Sequence, residues 1–336
     1  MQLEPSTKII IKIVFAVIAL AFLWAVRDII LLFLLSVIFA SAMEPMAEYL
    51  NQKQKIPRAV SVLTVYLFVF GFAALVIYLL VPPALEQFKV LSQNLPEYGK
   101  QFEQRFGLSF LNDINLGEVF SGFFSQSGGR GVFARTFVVF NSLFSIITVL
   151  VISFYLVAEE RGMKKFIGTL IPSHHQEFTM GLIEKIQKKM GLWILGQMIL
   201  SLAIFALTFI GLTILGVKYA LFLAMLAGLL EIVPYIGPFV SAVPAIFFAL
   251  LQSPALALAT AILYVIIQKT EGYILVPKVM EKTVGTSPLV VLLALLVGFK
   301  LAGVLGLLVA VPLASAITVV VNEFSAAKTN PTLPSP

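Results

Sequence analysis

The chain has 336 residues, 60% of them hydrophobic and only 12% charged, with a mean hydropathy of +1.01. A soluble protein of this length carries roughly twice that charged fraction, so the composition is that of an integral membrane protein. The absence of cysteine excludes disulfides, thiolate metal sites and cysteine nucleophiles, and the net charge of +6 comes from basic residues flanking apolar segments, which set membrane orientation and do not form a nucleic-acid surface.

Crossing about 30 Å of hydrocarbon takes roughly 20 helical residues. Residues 9–26 and 29–46 read as a tight helical hairpin turning at Arg27-Asp28. The first segment is long and another follows at once, so it reads as a retained span and not as a cleaved signal. Residues 59–81 form a third span, and Pro82-Pro83 end its apolar pattern. A mostly polar stretch, 82–135, follows; a fourth span covers 136–157, a charged stretch 159–189, and a fifth span 192–217. Basic residues concentrate at Lys8 and Lys12, at Lys53, Lys55 and Arg58, and between Arg161 and Lys189. The positive-inside rule then places the N-terminus in the cytoplasm and residues 82–135 outside it.

Beyond Lys218 the pattern changes. Residues 219–232 and 239–251 are each too short to cross alone. They read as a re-entrant hairpin with Pro234-Tyr235-Ile236-Gly237-Pro238 at its tip. Residues 254–273 are a full span back. Residues 288–299 and 301–321 form a second apolar pair, broken at Gly298 and Gly303, that reads as a hairpin entering from the opposite side. The alternative is two pairs of ordinary spans with tight turns. The expected fold class is all-α. Its parts are an N-terminal unit of three spans (1–81), an extracytoplasmic helical insertion (82–135), a fourth span with a cytoplasmic linker (136–190), a transport core (191–322) and a disordered tail (323–336).

Large apolar residues from Leu85 to Phe106 recur every three or four positions, with Pro96 read as the first residue of a second helix. The stripe either covers its own domain or the membrane surface, or packs against another copy. Ser125–Gly131 reads as a flexible linker. Phe178, Leu182, Ile186 and Met190 repeat every four residues among lysines, the pattern of a basic amphipathic helix lying on the inner membrane surface.

Chemistry concentrates at Glu231, the one charged residue between Tyr219 and Leu251. An acid at membrane depth is costly and marks a functional site by default. Its structural alternative is a pairing with Lys218, Lys300 or a broken-helix amide that only fixes the hairpin. Pro234, Gly237 and Pro238 hold the break open. Gln197, Gln268, Glu271 and Lys300 are further candidate ion or substrate ligands, each with a plain packing or interfacial alternative. His174-His175 reads as a solvated loop. No nucleotide-binding motif, metal site or catalytic group is recognisable, so the expectation is a non-enzyme without cofactor.

From 154 to 320 the chain resembles the AI-2E family of bacterial membrane transporters. The resemblance rests on Gly196-Gln197, Leu215-Gly216-Val217, Glu231–Pro238, Val243-Pro244-Ala245, Gln268, Glu271, Pro277-Lys278, Ser287-Pro288-Leu289, Gly303–Gly306 and Val311-Pro312-Leu313, with looser support from Glu44-Pro45 and Ile56-Pro57-Arg58. Leu195 departs from the pattern, since family members often carry a basic residue before the Gly-Gln pair. The resemblance implies an inner-membrane homo-oligomer handling small polar metabolites such as autoinducer-2, or exchanging sodium for protons. The residues leave three functions in competition: ion-driven export of a small polar solute by alternating access, cation/proton antiport, and a scaffold acting through the insertion. The expected partners are that solute or Na+ and H+, membrane lipid and further copies of the chain.

Overall fold

A computed structural model describes residues 5–106, 132–159, 171–172, 175–280 and 287–329, which are helical apart from short connections. In chain order the helices are α1 (Pro5–Ala25), α2 (Arg27–Lys53), α3 (Arg58–Phe106), α4 (Val132–Ala158), α5 (Gln176–Leu215), α6 (Ala220–Leu230), α7 (Ile236–Gln252) and α8 (Pro254–Thr270). A π-helical turn (Glu271–Leu275), α9 (Val276–Met280) and α10 (Pro288–Thr329) complete the order. Five described segments are long and apolar enough to cross a membrane: Arg27–Lys53, Arg58–Leu91, Gln176–Leu215, Pro254–Met280 and Leu289–Ser325. The chain is a multi-pass membrane protein.

The last of these five is not a single rod. Ala302 (φ −147°) and Gly303 (φ 58°, ψ −134°) leave helical geometry. A Cβ placed on Gly298 would lie 2.5 Å from the carbonyl oxygen of Gly306. Eight residues apart on a straight helix would be separated by about 12 Å, so the chain reverses at 302–303. The arm 288–301 packs backbone to backbone on the arm that follows, an approach only glycine permits.

The other break, between α6 and α7, is also a reversal. A Cβ on Gly237 would lie 2.1 Å from the Leu230 carbonyl oxygen, so the two helix ends lie against one another. α6, with 11 residues, spans about 16 Å and cannot cross a bilayer by itself. The turn is tighter than the sequence suggests, because Ile236, Gly237 and Pro238 already belong to α7. Pro238 is tolerated there, since first-turn N–H groups have no helical acceptor to serve.

Flanking ends are well defined by local chemistry. α5 stops at Gly216, whose φ of 72° suits glycine. Gly216 N–H donates to Thr213 and Val217 N–H to Leu212, while Leu212 and Val217 join the same apolar cluster. This is a Schellman ending with its hydrophobic contact. α8 begins with Ser253, whose hydroxyl accepts from Leu256 N–H at 3.1 Å, followed by Pro254 at the first helical position.

Three expectations need correction. α3 does not end at Pro82-Pro83, nor does a new helix start at Pro96; one helix of 49 residues runs through all three prolines. The carbonyls that Pro82 and Pro83 cannot serve belong to Tyr78 and Leu79, both exposed, and the apolar pattern ends there, so solvent can satisfy them. Beyond the prolines α3 packs onto the first hairpin: Gln87 Oε1 accepts from Phe222 N–H at 3.0 Å, Phe88 meets Phe222 at 5.3 Å between ring centroids, and Leu91 is fully buried. Part of the Leu85–Phe106 stripe therefore covers the protein's own hairpin.

The second correction concerns 176–190, which is the continuous first part of α5 and not a helix turned onto a membrane surface. Its apolar face meets the end of α10, through a Phe178–Phe324 edge contact at 5.6 Å and a Lys185–Glu323 ion pair at 2.8 Å. The same contacts explain the third: residues 323–329, expected to be disordered, extend α10 to Thr329. Ser125–Gly131, His174 and residues 330–336 lie outside the described residues.

The N-terminal helices are tied together at one end by Arg58. Its guanidinium donates to the Val157 carbonyl at the close of α4, from Nε at 3.0 Å and Nη2 at 2.8 Å. It also lies 3.9 Å from Glu44 on α2. A positive group at a helix C-terminus satisfies orphan carbonyls and suits the helix dipole. At the α2–α5 crossing a Cβ on Gly191 would sit 2.1 Å from the Ser41 carbonyl oxygen, so this unit and the core touch through backbone.

Candidate functional site

Glu231 follows α6 and opens the reversal. Its side chain is 1% exposed, and neither carboxylate oxygen has a hydrogen-bond donor among the described residues. Burying such a group without a protein donor is expensive. The backbone around it is well served. Glu231 N–H donates to Ala227, Val233 N–H to Leu230 and Gly237 N–H to Val233, each at 3.0 Å. Gln197, buried on α5, donates its side-chain amide to the Glu231 carbonyl oxygen. A broken helix at membrane depth persists only when its freed groups are satisfied in this way.

The second acid, Glu271, comes from the end of α8. Its backbone carbonyl accepts from Val276 N–H, five residues on, and so opens a π-helical turn. Pro277 has no N–H to offer Tyr273, which explains why the helix widens here. Glu271 is buried and its Oε2 accepts from Gln268 Nε2 at 3.1 Å. The carboxyl groups of Glu231 and Glu271 lie within hydrogen-bonding reach of one another. Either acid can donate to the other only while it carries a proton.

These groups line a cavity of about 270 Å³, together with Trp193 and Pro234. Val291 and Val311, one from each arm of α10, close it on another side. Among the described residues no lysine or arginine lines it.

Of the residues singled out from sequence, Glu231, Gln197, Gln268, Glu271 and Pro234 therefore meet at one cavity. Gly237 and Pro238 lie in the first turn of α7 behind it. Gly298 and Gly303 belong to the second reversal, away from the lining. Lys300 is exposed and does not line the cavity. Lys218 faces a different, polar cavity of about 460 Å³, with Asn94, Glu97 and Gln252. Among the described residues no ion pair reaches Glu231, so neither lysine supplies the purely structural pairing. Sequence reasoning missed Tyr235, Trp193 and Gly272, which also line the site. Gly272 and Pro277, close after Glu271, were the available sign of an irregular helix.

The sequence also matches known proteins along most of its length. The family model for AI-2E family transporters matches residues 13–326. YrrI of Bacillus subtilis is 27% identical over 89% of this chain and 87% of its own. YueF of the same organism is 28% identical over 77% and 75%, and YhhT of Escherichia coli 25% over 93% and 89%. Each is provisionally named as a transport protein, with no substrate in the name. With the match covering nearly the whole chain, this protein belongs to the AI-2E transporter family.

Proposed function

We propose that the protein is a secondary transporter that moves a small polar solute outward at the expense of an ion gradient, with Glu231 as the ion ligand. The observation that carries this reading is the buried Glu231 carboxylate, without a donor, facing Glu271 across a cavity at a broken helix. Such a carboxylate is completed by a proton, a sodium ion or a hydroxyl-bearing solute, each of which can come and go. A volume of about 270 Å³ suits a small solute, below the usual range for drug-sized ligands. Two acids, and no basic lining residue among the described residues, disfavour an anionic cargo. An autoinducer-2-like metabolite is neutral and hydroxyl-rich and fits that chemistry.

The same lining supports a second reading, cation/proton antiport, in which the two carboxyls alternate between sodium and protons without a solute. In either case the hairpins are re-entrant and move against the N-terminal helices in alternating access. The distribution of basic residues supports a bacterial inner-membrane location with the N-terminus inside and residues 82–135 outside. We take the working unit to be a homo-oligomer in lipid.

The test is flux in proteoliposomes. With an imposed sodium gradient, internal pH is followed by a trapped dye, with and without autoinducer-2 inside. Solute-dependent ion movement identifies the exporter, and proton movement without solute identifies the antiporter. Glu231→Gln abolishes either. Undiminished flux in Glu231→Gln across the pH range removes this residue from the mechanism and overturns the reading.

A further inference from the structure

Tyr235 is the residue of the site whose geometry is hardest to explain by packing. Its φ is 67° and ψ −43°, and Ile236 N–H donates across it to the Pro234 carbonyl at 2.8 Å. This is a γ-turn of the rare positive-φ form, which strains any side chain and an aromatic one most. Glycine would adopt it freely, yet the chain places its bulkiest turn residue there. Strain of this kind persists only where the surroundings impose it, and it clusters at ligand clamps and switch segments.

The surroundings do impose it. Pro234 fixes φ on one side. On the other, Gly237 lies against the Leu230 carbonyl and cannot approach further. The turn therefore has little freedom except at Tyr235. Tyr235 lines the cavity that holds Glu231 and Glu271, and the residue is 43% exposed. Tyr235 is thus both a lining residue of the site and open to the surroundings. Its hydroxyl makes no hydrogen bond with another described residue, so no polar contact fastens the ring in place.

We propose that Tyr235 is the gate of the carboxyl-lined cavity: its ring is the wall between the acids and the exterior, and relaxation of the strained turn swings that wall aside to admit a cation or small polar solute. Strain in the γ-turn lowers the cost of leaving the closed arrangement, which stays the major one. The proposal deepens the transport reading by naming the residue that controls access to the same site.

The chain has no cysteine, so a single introduced thiol reports unambiguously. Val291 lines the cavity and is 5% exposed, and Val291→Cys is a near-isosteric change. The experiment measures how fast a small cationic methanethiosulfonate reagent labels Val291→Cys in proteoliposomes. Tyr235→Ala, which removes the ring, raises the rate by about tenfold or more, in line with a wall held shut most of the time. Tyr235→Phe, which keeps the ring, stays within about twofold, because no hydroxyl contact is lost. Tyr235→Leu serves where the alanine variant is not monodisperse. Equal rates in the folded Ala or Leu variant overturn the gate, and so does a Phe variant as fast as Ala. Labelling needs no substrate. Normal flux in Glu231→Gln sinks the transport reading without moving the labelling rates, so the two failures are distinguishable.

Discussion

The side-chain amide of Gln197 on α5 donates to the backbone carbonyl of Glu231, which has just left α6. Gln197 thus serves the peptide group of Glu231 and not its carboxylate. The arrangement separates two jobs. Gln197 holds the break in shape, and the Glu231 side chain is left for an occupant.

Gln197→Leu keeps the volume and removes the donor. The Glu231 carbonyl is then buried without a partner, at a cost of about 1–3 kcal/mol. The apparent melting temperature in detergent falls, and flux falls with it. A variant with wild-type melting shows that the carbonyl finds another donor and that Gln197 is not the brace.

Glu231→Gln has the opposite sign for stability. An amide of the same shape replaces a buried carboxylate that lacks donors, so the resting protein melts at a higher temperature while transport is lost. Gains of stability at the expense of activity are expected where a buried charge serves function. A lower melting temperature for this variant means that the carboxylate has a structural partner.

The glycines give a paired test. Gly237→Ala forces a methyl group to 2.1 Å from a backbone oxygen, and Gly298→Ala to 2.5 Å. Backbone cannot step aside as a side chain can, so each opens its hairpin and costs several kcal/mol, on the order of the largest point-mutant effects. Gly71→Ala on α3 meets nothing within 4 Å and stabilises by about 0.5–1 kcal/mol through helix propensity alone. Thermal unfolding of the three purified variants checks the ranking.

Arg58→Lys retains the charge and loses the fork that holds the Val157 carbonyl from two nitrogens. The partly exposed setting limits the loss to about 1 kcal/mol. Hydrogen exchange at the end of α4 increases first, and an unchanged exchange pattern rules the clamp out.

Much of the first hairpin could be read directly. A lone acid followed by two prolines and a glycine in an apolar run has few structural explanations, and Glu231 does sit at a reversal beside Gln197, Gln268 and Glu271. The helix through Pro82, Pro83 and Pro96 could not be read, because proline weakens a helix only by an amount that neighbouring contacts can offset. Gln87, Phe88 and Leu91 supply those contacts from about 120 residues away in sequence or more, a separation across which periodicity is silent. Lys300 lies near a break like Glu231, yet it is exposed. Proximity to a kink marks a bend, and burial decides whether the bend matters. Tyr235 escaped notice because tyrosine looks ordinary until its backbone angles are known.

α3 has a consequence for motion. Its 49 residues extend about 73 Å, more than twice the thickness of the hydrocarbon. Near one end Arg58 grips α2 and α4, and about 44 Å further on Gln87 holds the start of α6. A continuous helix anchored at its foot can pass a tilt along its length. A tilt of only about 5° displaces the Gln87 end by about 4 Å, less than the rise of a single helical turn. A small rocking among the first helices can therefore become a sizeable push on α6, and through that short helix on the pocket it leads to.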